Sequence, residues 1–186
     1  MGVNWAAGLI RWRPHISSDG KAYSLAHLHP FRFTYDLQSC GNYSARTITV
    51  NVGFSLHVFT CEFANACPGA EEYLDDRECR AFDYERYRAS SRLEELVRGI
   101  ASRRCYFARK ENFVTTETAD APPGHEYRVF FAVRPDRTDV DTVTLIVQSA
   151  YYGRAELSPR GQRAKHVRFP VILSNTLQGK PLHQPP

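Results

Sequence analysis

Four side chains in this 186-residue sequence could together cleave a phosphodiester without a metal: His57, Tyr152, Arg128 and Arg168. An imidazole that titrates near neutrality can take a proton from a 2′-hydroxyl. A phenol can protonate the leaving oxygen, and guanidinium groups can hold the phosphate and stabilise its developing charge. Downstream, Arg154, Arg160, Arg163 and Lys165 crowd the stretch GRAELSPRGQRAK, and His166 follows it. These five residues are expected to bind a nucleic-acid backbone by charge. A plainer explanation stands beside this one. The solvent face of an antiparallel sheet is polar by necessity, and His57 is then a surface histidine bonded to a cross-strand Thr or Ser.

The elements that must position these groups are read from period two. Residues 47–60 alternate: Ile48, Val50, Val52, Phe54, Leu56 and Val58 point one way, and Thr47, Thr49, Asn51, Ser55 and His57 the other, the mark of a half-buried strand. Gly53 marks a bulge or bend in it. In residues 126–134, Tyr127, Val129, Phe131 and Val133 form the apolar side, with Arg128 and Arg134 opposite. In 142–152, Val143, Leu145 and Val147 oppose Thr144, Gln148 and Tyr152. The stretch HVRFPVILS, 166–174, reads as a last strand with His166 and Arg168 on its polar side; Pro170 confines it to an edge or a bulge. PFRFTY, CYFAR and FVTTET add shorter strands, the last two flanking a turn at Lys110–Glu111–Asn112.

One helix is clear. SSRLEELVRGIASRR opens with a capping box, Ser91 and Glu94, and carries the stripe Leu93, Leu96, Val97, Ile100. Arg98, Arg103 and Arg104 fall near its C-terminus, where the helix dipole favours cations. Residues 64–89 read as a long, charged connection. The fold expected is α+β: a twisted, mainly antiparallel sheet of five to seven strands with one main helix packed on one face. Residues 30–176 form a single domain between an N-terminal tail or extension, 1–29, and a C-terminal tail, 177–186. With the helix on the apolar side, the opposite face gathers the candidate site.

Composition limits the alternatives. A hydrophobic fraction of 42% is too high for a disordered chain. The net charge is +4, and only Lys21, Lys110, Lys165 and Lys180 are lysines. That arginine bias suits bidentate phosphate contacts, and a GC-rich genome explains it equally. No apolar run approaches a membrane span. Five cysteines without a secretory leader point to free thiols in the cytoplasm. Cys61, Cys67 and Cys79 lack knuckle spacing for zinc, although His57 lies four residues before Cys61. Those two residues would sit roughly 13 Å apart in a regular strand, too far for a dyad. The phosphate-loop, dinucleotide, nucleophile-elbow and zincin motifs are all missing, so no cofactor or metal is expected.

A helix followed by four antiparallel strands over residues 90–175, with basic and aromatic residues on the sheet, resembles the RelE-like and barnase-like small ribonucleases. Many of those are toxins of bacterial toxin–antitoxin pairs. The resemblance implies RNA cleavage without metal, with Arg128, Tyr152 and Arg168 as counterparts by strand position. The strand at 46–62 and the connection at 64–89 depart from the small toxins. Stretches such as FSLHVFT and IVQSAYY also resemble other small bacterial proteins. The sequence thus points to a cytoplasmic protein acting on RNA or single-stranded nucleic acid, as a ribonuclease or toxin with an antitoxin partner. The alternative is a non-catalytic module of the defence, antitoxin or phage-inhibitor type, binding a protein through the edge strand HVRFPVIL. A zinc-stabilised structural protein is the third reading.

Overall fold

The computed structural model describes residues 10–39, 44–108 and 112–182. Cys40, the turn residues Lys110 and Glu111, and both chain ends (1–9 and 183–186) lie outside the described residues.

Among the described residues, seven strands form one sheet: β3 (Phe31–Leu37), β4 (Arg46–Phe54), β8 (Arg104–Phe107), β9 (Phe113–Glu117), β10 (His125–Pro135), β11 (Thr142–Arg154) and β12 (His166–Arg168). Their spatial order is β12-β8-β9-β10-β11-β4-β3. Every neighbouring pair is antiparallel except β11 with β4. A second sheet, β5-β7-β6, joins Thr60–Cys61, Cys79–Phe82 and Glu72–Leu74. A two-stranded ribbon pairs β1 (His15–Ile16) with β2 (Ala22–Tyr23). The fold is α+β with a mostly antiparallel sheet, as expected. No helix of the described residues is long and apolar enough to cross a membrane.

The core lies on the apolar side of the large sheet, where Ile48, Val50, Val52, Tyr127, Val129, Phe131 and Val143 are all buried. Over it pack α2 (Leu93–Arg98), which buries Leu93, Leu96 and Val97, and α3 (Phe169–Leu177), which buries Phe169, Ile172 and Leu173. The stripe at 93–100 is therefore read correctly, but its start is not. The helical stretch begins about two turns earlier with α1 (Tyr84–Ser90). There the Asp83 carboxylate accepts the N–H groups of Glu85 and Arg86. Ser91 is not an N-cap but the C-cap of α1; its hydroxyl donates to the Arg88 carbonyl at 2.8 Å.

Residues 169–174 are helix, not strand. Pro170 sits in the first turn of α3, where a missing N–H costs nothing and a fixed φ favours the helix. Only His166–Arg168 remains as an edge strand. The charged connection at 64–89 holds two strands and α1, elements too short to show a period.

Residues 10–29 are not a loose tail. Trp12, Leu25 and Leu28 are buried in the core, and the Trp12 indole donates to the Phe54 carbonyl. His15 is 4% exposed and stacks on Phe82 at 3.9 Å. Its Nε2 lies 2.8 Å from the Glu71 carboxylate, which also accepts the Tyr84 hydroxyl at 2.6 Å and the Ser18 hydroxyl and N–H at 2.7 Å each. The Ser18 hydroxyl, then Tyr84, the Ser18 N–H and His15, hold that carboxyl down at about 2. At the other end Leu182 packs against the core, so the C-terminal segment is docked at least that far.

Candidate nucleic-acid interface

The edge where β12 meets β8 concentrates unpaired positive charge. The register sets Arg168 opposite Arg104, His166 opposite Tyr106 and Val167 opposite Cys105. Period two then divides the faces. Cys105 is buried in the core, and burial pushes its thiol up to about 12. Arg104, His166 and Arg168 emerge on the other face, all exposed. Beside them the segment 155–165 folds back so that Arg160 lines a cleft with Tyr106 and Thr116.

Two clefts of about 340 and 330 Å³ adjoin here. Arg103, Arg104, Tyr106, Thr116 and Arg160 line the first; the second shares Arg103 and Arg104 and adds His166 and Arg168. Arg104, Arg160, His166 and Arg168 have no acidic partner among the described residues. Arg103 is anchored instead: its Nη1 lies 2.5 Å from the Glu117 carboxylate. Burial opposes ionisation of Glu117, but the Ala119 N–H, Arg103 and the Thr118 N–H outweigh it and bring the carboxyl down to about 2.

The segment that delivers Arg160 is closed on itself. The Ser158 hydroxyl donates to the Ala155 carbonyl at 2.8 Å and accepts the Gly161 N–H at 2.9 Å. A Cβ on residue 161 would fall 2.2 Å from the Ala155 carbonyl oxygen, so only glycine fits. Arg163 and Lys165 are exposed on the same segment. Arg154, also exposed, faces Glu156 at 3.9 Å.

The other expected site residues lie elsewhere. β4 ends at Phe54 because Ser55 leaves the ladder: its hydroxyl donates to the Gln148 carbonyl at 2.6 Å and accepts the His57 N–H at 3.2 Å. His57 therefore sits in a 3₁₀ turn, Leu56–Val58, rather than on a strand's polar face. Its Nε2 is 3.1 Å from Glu78, and Arg86 takes its carbonyl. Five strand spacings separate β4 from β12, about 24 Å at 4.8 Å each. The bulge expected at Gly53 is also not there; β4 pairs with β11 without a register shift from Thr49 to Phe54.

A bulge lies instead in β11, where Phe130 pairs with Ser149 but Phe131 pairs with Val147. The extra residue, Gln148, reverses the parity of everything after it. Tyr152 thus sits opposite buried Tyr127 and packs with it, ring centroids 5.2 Å apart. Tyr151, not Tyr152, shares the face of Arg128. Arg128 holds no free charge for a phosphate. Its guanidinium lies on Gly153, donates to the Arg154 carbonyl and approaches buried Glu126 at 3.5 Å. The acid–base groups expected to act together are dispersed, whereas Arg160, His166 and Arg168 do converge.

Arg103, Arg104 and Tyr106 complete the cleft without having been expected there. Their signal was the alternation Arg104, Cys105, Tyr106, Phe107, which the helix-dipole account of the arginines concealed. Cys61 and Cys105 are buried free thiols, and Cys67 and Cys79 exposed ones. Among the described residues no three His, Cys, Asp or Glu side chains cluster closely enough to hold a metal ion.

Fold and clefts define an α+β protein with two arginine-lined clefts at one end of its sheet. The chain belongs to the YjaZ family, whose model matches residues 14–177. That match begins within the N-terminal segment docked by Trp12 and His15. No curated protein and no solved structure matches the chain.

Proposed function

We propose that this protein binds RNA as a single strand along the paired clefts of the β12–β8 edge. The observation that carries the reading is the convergence of Arg104, Arg160, His166 and Arg168, exposed and without acidic partners among the described residues, on two clefts joined by Arg103 and Arg104. Adjoining cationic clefts suit successive phosphates of one strand, and binding of this kind is driven by counterion release. Arg163 and Lys165 extend the positive margin.

Fluorescence anisotropy with a labelled single-stranded RNA, measured across a salt series, tests this. Wild type should bind with log K falling steeply against log salt. Arg104→Glu/Arg160→Glu/Arg168→Glu should flatten that slope by about 2 units, near 0.7 per lost phosphate contact. His57→Ala, five strand spacings away, should leave affinity unchanged. Equal binding by wild type and the triple variant would refute the assignment.

The ribonuclease reading is supported by His166, the one imidazole among the described residues that line these clefts, placed beside Arg104 and Arg168. An imidazole among guanidinium groups can deprotonate a 2′-hydroxyl while they hold the phosphate. The run α2-β8-β9-β10-β11 also supports the likeness to RelE-like and barnase-like enzymes. In this reading His166→Ala abolishes cleavage in EDTA while binding persists, and expression of wild type arrests growth unless an antitoxin accompanies it. Intact RNA after incubation with wild type removes the ribonuclease reading and leaves the binding reading standing.

A further inference from the structure

The end of the sheet opposite the arginine clefts is strand β3, and its outer edge is open. Which backbone groups face outward follows from β4. The Thr49 N–H bonds to the Asp141 carbonyl, and the Ser55 N–H to the Val147 carbonyl, so the odd residues of β4 turn toward β11. Thr34 lies opposite Thr49, Arg32 opposite Asn51 and Asp36 opposite Thr47. These are the non-hydrogen-bonded pairs of the antiparallel ladder. The N–H and C=O groups of Arg32, Thr34 and Asp36 therefore point away from the sheet. No backbone partner meets them among the described residues; the Gln38 amide alone reaches the Asp36 carbonyl, at 3.4 Å. All three side chains are exposed.

The strand reads Phe31-Arg32-Phe33-Thr34-Tyr35-Asp36-Leu37. It is free of proline and bulge, and the two charges it carries, Arg32 and Asp36, are of opposite sign. Arg32 and Asp36 occupy one face, four residues and about 14 Å apart, beyond each other's reach within a single chain. Each is oriented by β4: Arg32 Nε donates to the Asn51 side-chain carbonyl at 2.9 Å, and Asp36 accepts the Thr47 hydroxyl at 2.7 Å. The remaining guanidinium nitrogens and the second carboxylate oxygen have no partner among the described residues.

We propose that β3 pairs with β3 of a second copy of this chain, antiparallel about a two-fold axis through Thr34. That register sets Arg32 of each copy against Asp36 of the other, Thr34 against Thr34, Phe33 against Tyr35 and Phe31 against Leu37. Opposite charges, Thr–Thr and aromatic–aromatic pairs are the cross-strand combinations that stabilise antiparallel ladders. The outward residues are the ones that meet, so all six outward backbone groups find partners. Because the strand is self-complementary in charge, a copy of the same chain fits this edge better than an arbitrary peptide. The contact is isologous and closes at two. It continues the sheet and leaves the arginine clefts free at its two far ends.

Sedimentation velocity of the full chain from about 1 to 100 µM tests the proposal, since dimers held by a short interface dissociate in that range. Wild type should pass from monomer to dimer. Thr34→Pro removes an N–H that β4 does not use and should give a monomer with an unchanged far-UV circular dichroism spectrum. Arg32→Asp places like charges opposite each other twice and should raise the dissociation constant about tenfold or more. Arg32→Asp/Asp36→Arg restores both pairs and should restore the dimer, which keeps the test decisive should Thr34→Pro fail to fold. Wild type monomeric throughout, Arg32→Asp dimerising as wild type does, or a charge-swapped protein as weak as Arg32→Asp would each overturn the proposal.

Discussion

Gly161→Ala puts the cleft under test with a single methyl group. The Cβ it adds would stand 2.2 Å from the Ala155 carbonyl oxygen and 3.1 Å from both the Ala155 carbonyl carbon and the Glu156 Cα. These are backbone atoms and cannot rotate aside. Residue 161 must retreat by about 1 Å to reach ordinary van der Waals contact, near 3.5 Å. Retreat breaks the Gly161 N–H bond to Ser158 and disturbs the Gln162 and Ala164 N–H bonds to the Ser158 and Pro159 carbonyls. Overpacking of this kind costs about 1–3 kcal/mol. For a chain of this size that lowers Tm by about 2–12 °C. Arg160 immediately precedes the glycine and is carried out of the cleft with it. RNA affinity should drop severalfold, with the salt slope flatter by about 0.7. Arg160→Ala is the matched comparison: it should flatten the slope equally yet leave Tm within about 1 °C, as surface truncations do. Thermal melts and RNA anisotropy on the two variants read both effects. A Gly161→Ala protein with wild-type Tm and wild-type salt slope would refute the claim that this turn seats Arg160.

Two further outcomes concern the scaffold. Asp83→Ala removes the acceptor for the Glu85 and Arg86 N–H groups, both at 3.0 Å, and should cost about 1 kcal/mol, lowering Tm by about 2–4 °C in a melt followed by circular dichroism. Glu71 has a folded pKa of about 2 against an ordinary 4.5. Its depressed value stabilises the fold fully above about 4.5, and that contribution is lost as pH falls toward 2. The Tm gap between wild type and Glu71→Gln should accordingly be widest near neutrality and close between pH 4.5 and 2. A gap that stays constant over that range would contradict the assignment of His15, Ser18 and Tyr84 as the groups that hold the carboxylate.

The large sheet was legible wherever a strand was long and regular. Tyr127, Val129, Phe131 and Val133 alternate without interruption, and all four are buried. Leu93, Leu96, Val97 and Ile100 identify their helix for the same reason. Counting by twos fails where geometry changes without a change of composition. Gln148 is an ordinary strand residue, yet its insertion turns Tyr152 inward and Tyr151 outward. Ser55 looks like one more polar position, but its hydroxyl draws the chain into a turn and takes His57 with it. Pro170 can end a strand or open a helix, and tertiary packing of Ile172 and Leu173 decides between them. Trp12, Leu25 and Leu28 each anchor the N-terminal segment alone, so no period reveals it. Of the site, charge could be placed from sequence, because Arg160, His166 and Arg168 follow one another closely. Its partners Arg103 and Arg104 come from 56 or more residues earlier and meet them only through the pairing of β8 with β12.

The parallel contact between β4 and β11 has a consequence for how the chain is made. Ser55 bonds to the Gln148 carbonyl across 93 positions of sequence. On a ribosome, β3 and β4 emerge as a hairpin long before their neighbour exists. Loop closure over such a span is entropically expensive, and topologies dominated by distant pairings fold slowly. The nascent hairpin must wait with one flank of β4 unsatisfied until β11 has been made.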